Sequence, residues 1–282
     1  MSAEPESIRV NADDGSQYQL WHWSCVGDTR ALVLILHGAA EHGGRYQVFA
    51  EQLIERGFAV VAVDHYGHGL SDGPRVSVQS LAQLTEGLRQ MKRWAGQQYS
   101  SVPWVLFGHS LGGLLAVNEL IDSESEYRAA AVSGAAIQSD KEPGALLKWV
   151  VGQLARWFPT LGLIKLEADG VSRLPEEVER YCADPLVYNG ALTAGLLKAM
   201  FSAMDRVKRR ASELHLPMLV MHGEQDPMTA PQGSQWLYDT ISSREKSLLL
   251  LPEAYHEILN EPEQDQVYQA LFAFLDEHCP AG

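Results

Sequence analysis

Short, uninterrupted apolar runs recur along the chain and predict the strands of a buried sheet. The runs are 31–36, 58–63, 102–107, 129–132, 217–221 and 247–251. Because they lack polar alternation, they are typical of strands that helices cover on both faces, as in a parallel sheet. Before the first run, an Asp14-Gly15 turn signal between residues 7–11 and 17–23 predicts an opening hairpin.

Segments with helical periodicity alternate with these runs. They are 46–56, 78–97, 111–122, 231–241 and 262–278. The alternation predicts an α/β fold with a mainly parallel sheet flanked by helices.

One long segment interrupts the alternation because it contains helical and loop patterns but no strand-like run. We therefore expect a core of residues 1–136 and 211–282, with residues 137–210 inserted as a helical cap before the penultimate strand. A cap at this point would cover the carboxyl edge of the sheet, where α/β proteins bind their ligands.

The composition of the chain limits which binding partners and which cellular location we expect. A formal net charge of −14 repels polyphosphate, so we expect no nucleic-acid partner. The three cysteines, Cys25, Cys182 and Cys279, lack metal-ligand spacing and predict neither a disulfide framework nor a zinc site. The N-terminus has no apolar core of the signal-peptide kind, and no apolar stretch reaches the ~20 residues of a membrane-spanning helix. These features predict a cytoplasmic protein, and nothing in them indicates an oligomeric state.

The motif GHSLGG at 108–113 is the most specific chemical signal in the chain. It directly follows a predicted strand and directly precedes a predicted helix, which is the setting of the nucleophile elbow of α/β hydrolases. Flanking glycines allow the sharp turn, and the N-terminus of the helix adds positive potential beside the serine. The motif therefore predicts Ser110 as a nucleophile.

A serine nucleophile needs a general base and an acid that orients it, and in this superfamily both follow the serine in the chain. His256 lies between the last predicted strand and the C-terminal helix, so it is the candidate base. Asp226, in the loop after the preceding strand, is the candidate acid, and Glu224 in the same loop is the alternative.

An oxyanion intermediate needs two preorganised hydrogen-bond donors. We expect the backbone N–H groups of Leu111, which follows the nucleophile, and of Ala39, in the loop after the 31–36 strand. A metal site built from His37, Glu41 and His42 in that same loop is a weaker alternative, because nothing in the sequence holds the three on one face.

Several segments together resemble the monoacylglycerol lipase and lysophospholipase-like branch of the α/β hydrolases. They are HGAAEHGGRY at 37–46, VDHYGHGLSDG at 63–73, GHSLGG at 108–113, RYCADPLVY at 180–188, HGEQDPM at 222–228 and YHEILNE at 255–261. The resemblance implies hydrolysis of a single-chain lipid ester through an acyl-enzyme, without a cofactor or metal. Ala40 departs from the family pattern, in which many members carry glycine.

The cap segment 145–158 is apolar on nearly all sides, which is typical of a helix that is either buried or presented to lipid or a partner. Lys148, Arg156 and Lys165 could meet anionic headgroups, although the overall charge opposes this. A lipid ester is therefore the expected substrate, with possible transient contact to a membrane. A short-chain carboxylesterase, a peptidase of the related aminopeptidase group and a non-enzymatic binding protein are the alternatives.

Overall fold

The computed structural model describes residues 4–138 and 144–281, which form one eight-stranded sheet and one two-stranded sheet. In chain order the strands are β1 (Glu6–Asn11), β2 (Gln17–Trp23), β3 (Ala31–Leu36), β4 (Phe58–Val63), β5 (Trp104–His109), β6 (Ala129–Ser133), β7 (Gly162–Lys165), β8 (Ala191–Thr193), β9 (Met218–Gly223) and β10 (Lys246–Leu251).

The large sheet has the strand order β1-β2-β4-β3-β5-β6-β9-β10. The pairs β1–β2 and β2–β4 are antiparallel, and all the other neighbours are parallel. Every residue of β3 and β4 is buried, because helices cover both faces. The predicted hairpin and the mainly parallel α/β sheet are therefore confirmed.

The helices complete two layers around the sheet. They are α1 (Gln47–Ile54), α2 (Leu81–Gln98), α3 (Leu111–Ser123), α4 (Ala145–Trp157), α5 (Pro175–Ala183), α6 (Ala194–Arg210), α7 (Pro231–Thr240) and α8 (Gln264–His278). Alternate residues of β3 serve the two layers, since successive side chains of a strand point to opposite faces. Leu34 packs towards α2, α3, α6 and α7, whereas Ile35 packs towards α1 and α8.

The segment between β6 and β9 differs from the expected purely helical insertion. It contains α4, α5 and α6, but β7 and β8 also pair there as a small antiparallel sheet with a register shift. The prediction that this segment has no strand was wrong, because β7 is short and exposed along its whole length and so lacks any burial pattern. Residues 139–143 of the predicted cap lie outside the described residues.

α6 connects this segment to the rest of the molecule. It packs against α2 and α3 of the main sheet's helical layer, and α4 packs on it in turn. Only Val151 and Ala155 of α4 are buried, so a narrow stripe of that helix faces inward. In the described part of the chain, no helix is long and apolar enough to cross a membrane.

Candidate active site

Ser110 lies at the sharp turn between β5 and α3. Its backbone has φ 54° and ψ −117°, a left-handed conformation that is strained for any residue with a Cβ. Three backbone hydrogen bonds hold it there: its N–H donates to Ser133, and its carbonyl accepts from Leu114 and Ala136. Such strain persists only where the surrounding structure enforces it, and it is the backbone feature expected of a nucleophile elbow.

The glycine at position 112 is required by a close approach of two backbones. A Cβ on Gly112 would lie 1.9 Å from the carbonyl oxygen of Leu36 at the end of β3. The start of α3 therefore sits directly on the neighbouring strand, which fixes Ser110 relative to the loop that follows β3.

Asp226 and His256 are brought together although they are far apart in the chain. Nδ1 of His256 lies 2.6 Å from Oδ2 of Asp226, and both side chains are buried. Burial raises the pKa of Asp226, but the charge and hydrogen bonds of the two histidines around it outweigh burial and lower the pKa overall. Burial lowers the pKa of His256, but the charge and hydrogen bond of Asp226, together with the charges of Glu257 and Glu41, raise it above its usual value.

The structure brings Asp226 rather than the alternative acid to the histidine. Glu224 is exposed, and its N–H donates to Leu251. Oδ1 of Asp226 accepts from the backbone N–H groups of Met228 and Thr229 at 2.7 and 3.0 Å. These two donors fix the plane of the carboxylate, so that its other oxygen faces His256.

His256 lies beside the ends of β5 and β6, next to the turn that carries Ser110. Its ring lies against that of His109, the residue before Ser110, with centroids 4.6 Å apart. A Cβ on Gly134, just after β6, would come within 3.2 Å of Nδ1 of His256. Burial lowers the pKa of His109 to about 3, so this neighbouring ring is uncharged near neutral pH.

The two expected oxyanion donors belong to the start of α3 and to the loop after β3. Leu111 is the first residue of α3, where an N–H has no acceptor inside the helix. Ala39 precedes Ala40, which has φ 67° and whose carbonyl accepts from Tyr188 N–H at 2.8 Å. Ala40 thus occupies a conformation that favours glycine, which explains the glycine of the family pattern.

A buried charge cluster supports this loop from one side. Arg45 donates to Glu41 at 2.6 Å and to both carboxylate oxygens of Glu257 at 2.7 and 2.9 Å. Arg45 also lies over the ring of Tyr181, 4.8 Å from its centroid. Glu41 in turn accepts from Gly38 N–H at 2.6 Å, so the cluster is joined directly to the loop that carries Ala39. The sequence indicated Glu41 only as a candidate metal ligand and gave no sign of Glu257, which lies 212 residues from Arg45.

The weaker alternative of a metal site at His37, Glu41 and His42 is not assembled. His37 accepts from His65 N–H at 3.0 Å, and His42 pairs with Asp184 at 2.9 Å. Within residues 4–138 and 144–281, no three His, Cys, Asp or Glu side chains group in a way that could hold a metal ion.

A cavity of about 590 Å³ opens beside the cluster. Residues of both the core and the intervening segment line it, among them Arg45, His109, Glu177, Asp184 and Glu257. His109 precedes Ser110 in the chain, so the cavity lies beside the turn that carries the candidate nucleophile.

The parallel sheet with a strained serine between strand and helix, and an acid–histidine pair on later loops, defines the α/β-hydrolase class. Within that class the chain belongs to the family described as serine aminopeptidase, S33, which matches residues 27–263. The resemblance and the fold class expected from the motifs are confirmed.

Named relatives cover nearly the whole chain. It is 35% identical to a monoacylglycerol lipase of Mycolicibacterium smegmatis, over 91% of each protein. It is 30% identical to a monoglyceride lipase of Rattus norvegicus, over 89% of this chain and 83% of that one. The crystal structure of Paleococcus ferrophilus monoacylglycerol lipase superposes with a TM-score of 0.82 at 28% identity, covering 97% of this chain and 99% of that one.

Proposed function

We propose that this protein is a serine hydrolase that cleaves the carboxylic ester of a single-chain lipid, monoacylglycerol, through an acyl-enzyme. The observation that carries the proposal is the 2.6 Å contact between His256 and Asp226 on loops beside the strained Ser110. The substrate is inferred from the relatives, a monoacylglycerol lipase and a monoglyceride lipase, which the chain matches over most of their length.

In the proposed reaction, Nε2 of His256 takes the Ser110 hydroxyl proton as Oγ attacks the ester carbonyl. The N–H groups of Ala39 and Leu111 stabilise the tetrahedral oxyanion. His256 then gives the proton to the departing glycerol oxygen, which leaves the acyl group on Ser110. Water then attacks the acyl-enzyme, with His256 taking its proton and returning it to Ser110, and the fatty acid is released. Asp226 orients the imidazole and stabilises its charged form without taking the proton.

The cavity beside His109 supports a polar leaving group. Its lining carries the carboxylates and guanidinium of the Glu41–Arg45–Glu257 cluster, which offer hydrogen-bond partners to hydroxyl groups. The hydroxyl groups of a glycerol moiety can hydrogen-bond to such a lining.

Residues 137–210 are proposed to act as a cap that presents an apolar surface. Trp149 and Trp157 of α4 are 61% and 69% exposed. Other apolar side chains of α4, β7 and the connection between them are exposed with them: Leu146, Leu147, Val150, Phe158, Leu161, Leu163 and Ile164. Such a contiguous exposed patch is typical of a surface that meets lipid or a partner. We therefore include in the proposal a cytoplasmic location with transient membrane contact through this cap.

The decisive experiment compares turnover of a long-chain monoacylglycerol, the matching lysophosphatidylcholine and a short-chain ester, with Ser110→Ala as the inactive control. We expect the monoacylglycerol to be preferred by more than tenfold. Preference for the lysolipid would make the protein a lysophospholipase, and preference for the short ester would make it a carboxylesterase. Cleavage of peptides instead of esters would favour the aminopeptidase activity that the family description names.

A further inference from the structure

Asp226 Oδ2 is shared by two imidazole rings, of which the proposed mechanism uses only one. His256 approaches it at 2.6 Å through Nδ1, and His222 approaches it at 3.0 Å through Nε2. His222 is fully buried at the end of β9. Its other ring nitrogen lies 2.6 Å from the hydroxyl of Ser234 on α7, which is also fully buried.

The neighbours of His222 determine which of its nitrogens carries the proton. Nε2 faces the Asp226 carboxylate and, at 3.3 Å, the carbonyl of Thr229, and both groups only accept hydrogen bonds. The Thr229 hydroxyl, 3.2 Å from Nε2, has acceptors of its own in Asp226 Oδ2 and the Gly134 carbonyl. Nε2 is therefore protonated and donates to Asp226, while Nδ1 pairs with the Ser234 hydroxyl.

An imidazole donor at this position differs from a permanently charged one. An arginine or lysine would cancel the negative charge that Asp226 directs at His256. The imidazole of His222 instead offsets part of that charge by donating to Oδ2, the same oxygen that accepts from His256. Because a donor to a carboxylate stabilises its charged form, it weakens the attraction of the carboxylate for a second proton donor.

We propose that His222, oriented by Ser234, is a positioning residue that sets how strongly Asp226 attracts the proton held by His256. The inference rests on the proposed function for the roles of Asp226 and His256. Loss of the His222 donor would concentrate the carboxylate charge on His256 and move the titration of His256 to higher pH.

The other charged or titratable groups around His256 are not touched by a change at position 222. His109 packs against its ring, and Glu257 follows it in the chain. Glu41 approaches from the loop after β3, and Arg45 binds both of these carboxylates. A shift in the titration of His256 would therefore report the change at Asp226.

Two substitutions separate the hydrogen-bond donor of His222 from the volume of its side chain. His222→Leu keeps apolar bulk at a fully buried position but removes both ring nitrogens. His222→Gln keeps an N–H that can donate to Asp226 and a carbonyl that can accept from Ser234. The His256 ring is titrated by NMR, and kcat/KM for a short chromogenic ester is measured against pH, since its acidic limb reports the general base of the free enzyme.

For His222→Leu we expect the midpoint of the NMR titration and the midpoint of the acidic limb of kcat/KM each to rise by about 0.5 pH unit. The value of kcat/KM at neutral pH should fall several-fold. His222→Gln should stay close to wild type in both. Ser234→Ala should shift the midpoint in the same direction by less, because the Ser234 hydroxyl strengthens His222 as a donor. This third variant also keeps the test available if His222→Leu does not fold.

Leu237→Ala is the matched control, since Leu237 is a fully buried residue of α7 whose loss lowers stability without removing a hydrogen bond of His222. The midpoint of the His256 titration in Leu237→Ala should equal that of wild type. An unchanged or lowered midpoint in folded His222→Leu and Ser234→Ala would overturn the proposal, as would an equal rise in Leu237→Ala. The NMR titration needs no turnover, so failure of the proposed ester hydrolysis would be recognised separately.

Discussion

Replacement of Asp226 by asparagine tests the proposed acid most sharply, because the surrounding donors decide how the new amide must lie. Oδ1 of Asp226 accepts from the N–H groups of Met228 and Thr229. In Asp226→Asn the amide oxygen must stay there, since an NH₂ group would face two donors. The NH₂ group then takes the place of Oδ2, where His256 and His222 can each change to the tautomer that accepts from it, through Nδ1 and Nε2 respectively.

This orientation of the amide reverses the tautomer of His256. With Nδ1 accepting from the amide, the proton of His256 moves to Nε2, which can no longer take a proton from Ser110. The wrong tautomer costs on the order of 10⁴ in kcat, which corresponds to about 5.4 kcal/mol at 1.36 kcal/mol per factor of ten. The reverse orientation would set the NH₂ group against two backbone N–H groups, whose protons cannot move, whereas the imidazoles can change tautomer and the Thr229 hydroxyl can turn.

The assay is kcat for a monoacylglycerol and for a short chromogenic ester, with thermal unfolding to check that the variant is folded. Glu224→Gln is the matched control, since Glu224 is an exposed acid two residues away, and it should retain wild-type activity. If Asp226→Asn keeps more than a tenth of the wild-type kcat, or Glu224→Gln loses as much, the assignment of the acid is wrong.

Four further predictions concern backbone geometry and the exposed surface. Gly112→Ala should destabilise the fold by about 3 kcal/mol or more, since its Cβ would lie 1.9 Å from a backbone oxygen. Gly152→Ala, with nothing within 4 Å, should stabilise α4 by about 0.5–1 kcal/mol in the same denaturant assay. Ala40→Gly should raise the unfolding free energy by about 0.5 kcal/mol, because φ is 67° there. Replacing Trp149 and Trp157 together by serine should weaken sedimentation with lipid vesicles while leaving stability within about 0.5 kcal/mol of wild type.

Each of these has an outcome that contradicts it. Equal stability changes in the two glycine variants would mean that contact with the neighbouring strand does not constrain the elbow. A destabilised Ala40→Gly would mean that the lost strain is smaller than the entropy that glycine adds to the unfolded chain. Unchanged vesicle binding after loss of both tryptophans would remove the cap surface from the proposal.

Much of the fold and the nucleophile could be predicted because they depend on neighbouring residues. β3 and β4 begin and end where the apolar runs predicted, since burial on both faces requires an unbroken run. The turn at Ser110 is also local: a strand, a glycine-flanked serine and a helix are contiguous, so six residues specify it. β5 was predicted two residues early at each end because it extends into the motif as far as His109.

Other features were decided by contacts between distant parts of the chain. Asp226 and Glu224 share one loop, and only the packing of that loop against β10 exposes one and turns the other towards His256. The sequence left His222 without a role, yet it contacts the same carboxylate from the end of β9.

The sequence by itself therefore determined the alternating α/β architecture, the elbow and the order of the candidate catalytic groups, because burial and backbone conformation are local requirements. The tertiary structure alone decided which acid meets the histidine, which second imidazole shares that acid, and that Glu257 supports the loop carrying Ala39 through Arg45. These pairings depend on how strand ends align in the sheet, and such alignment arises only when residues far apart in the chain pack together.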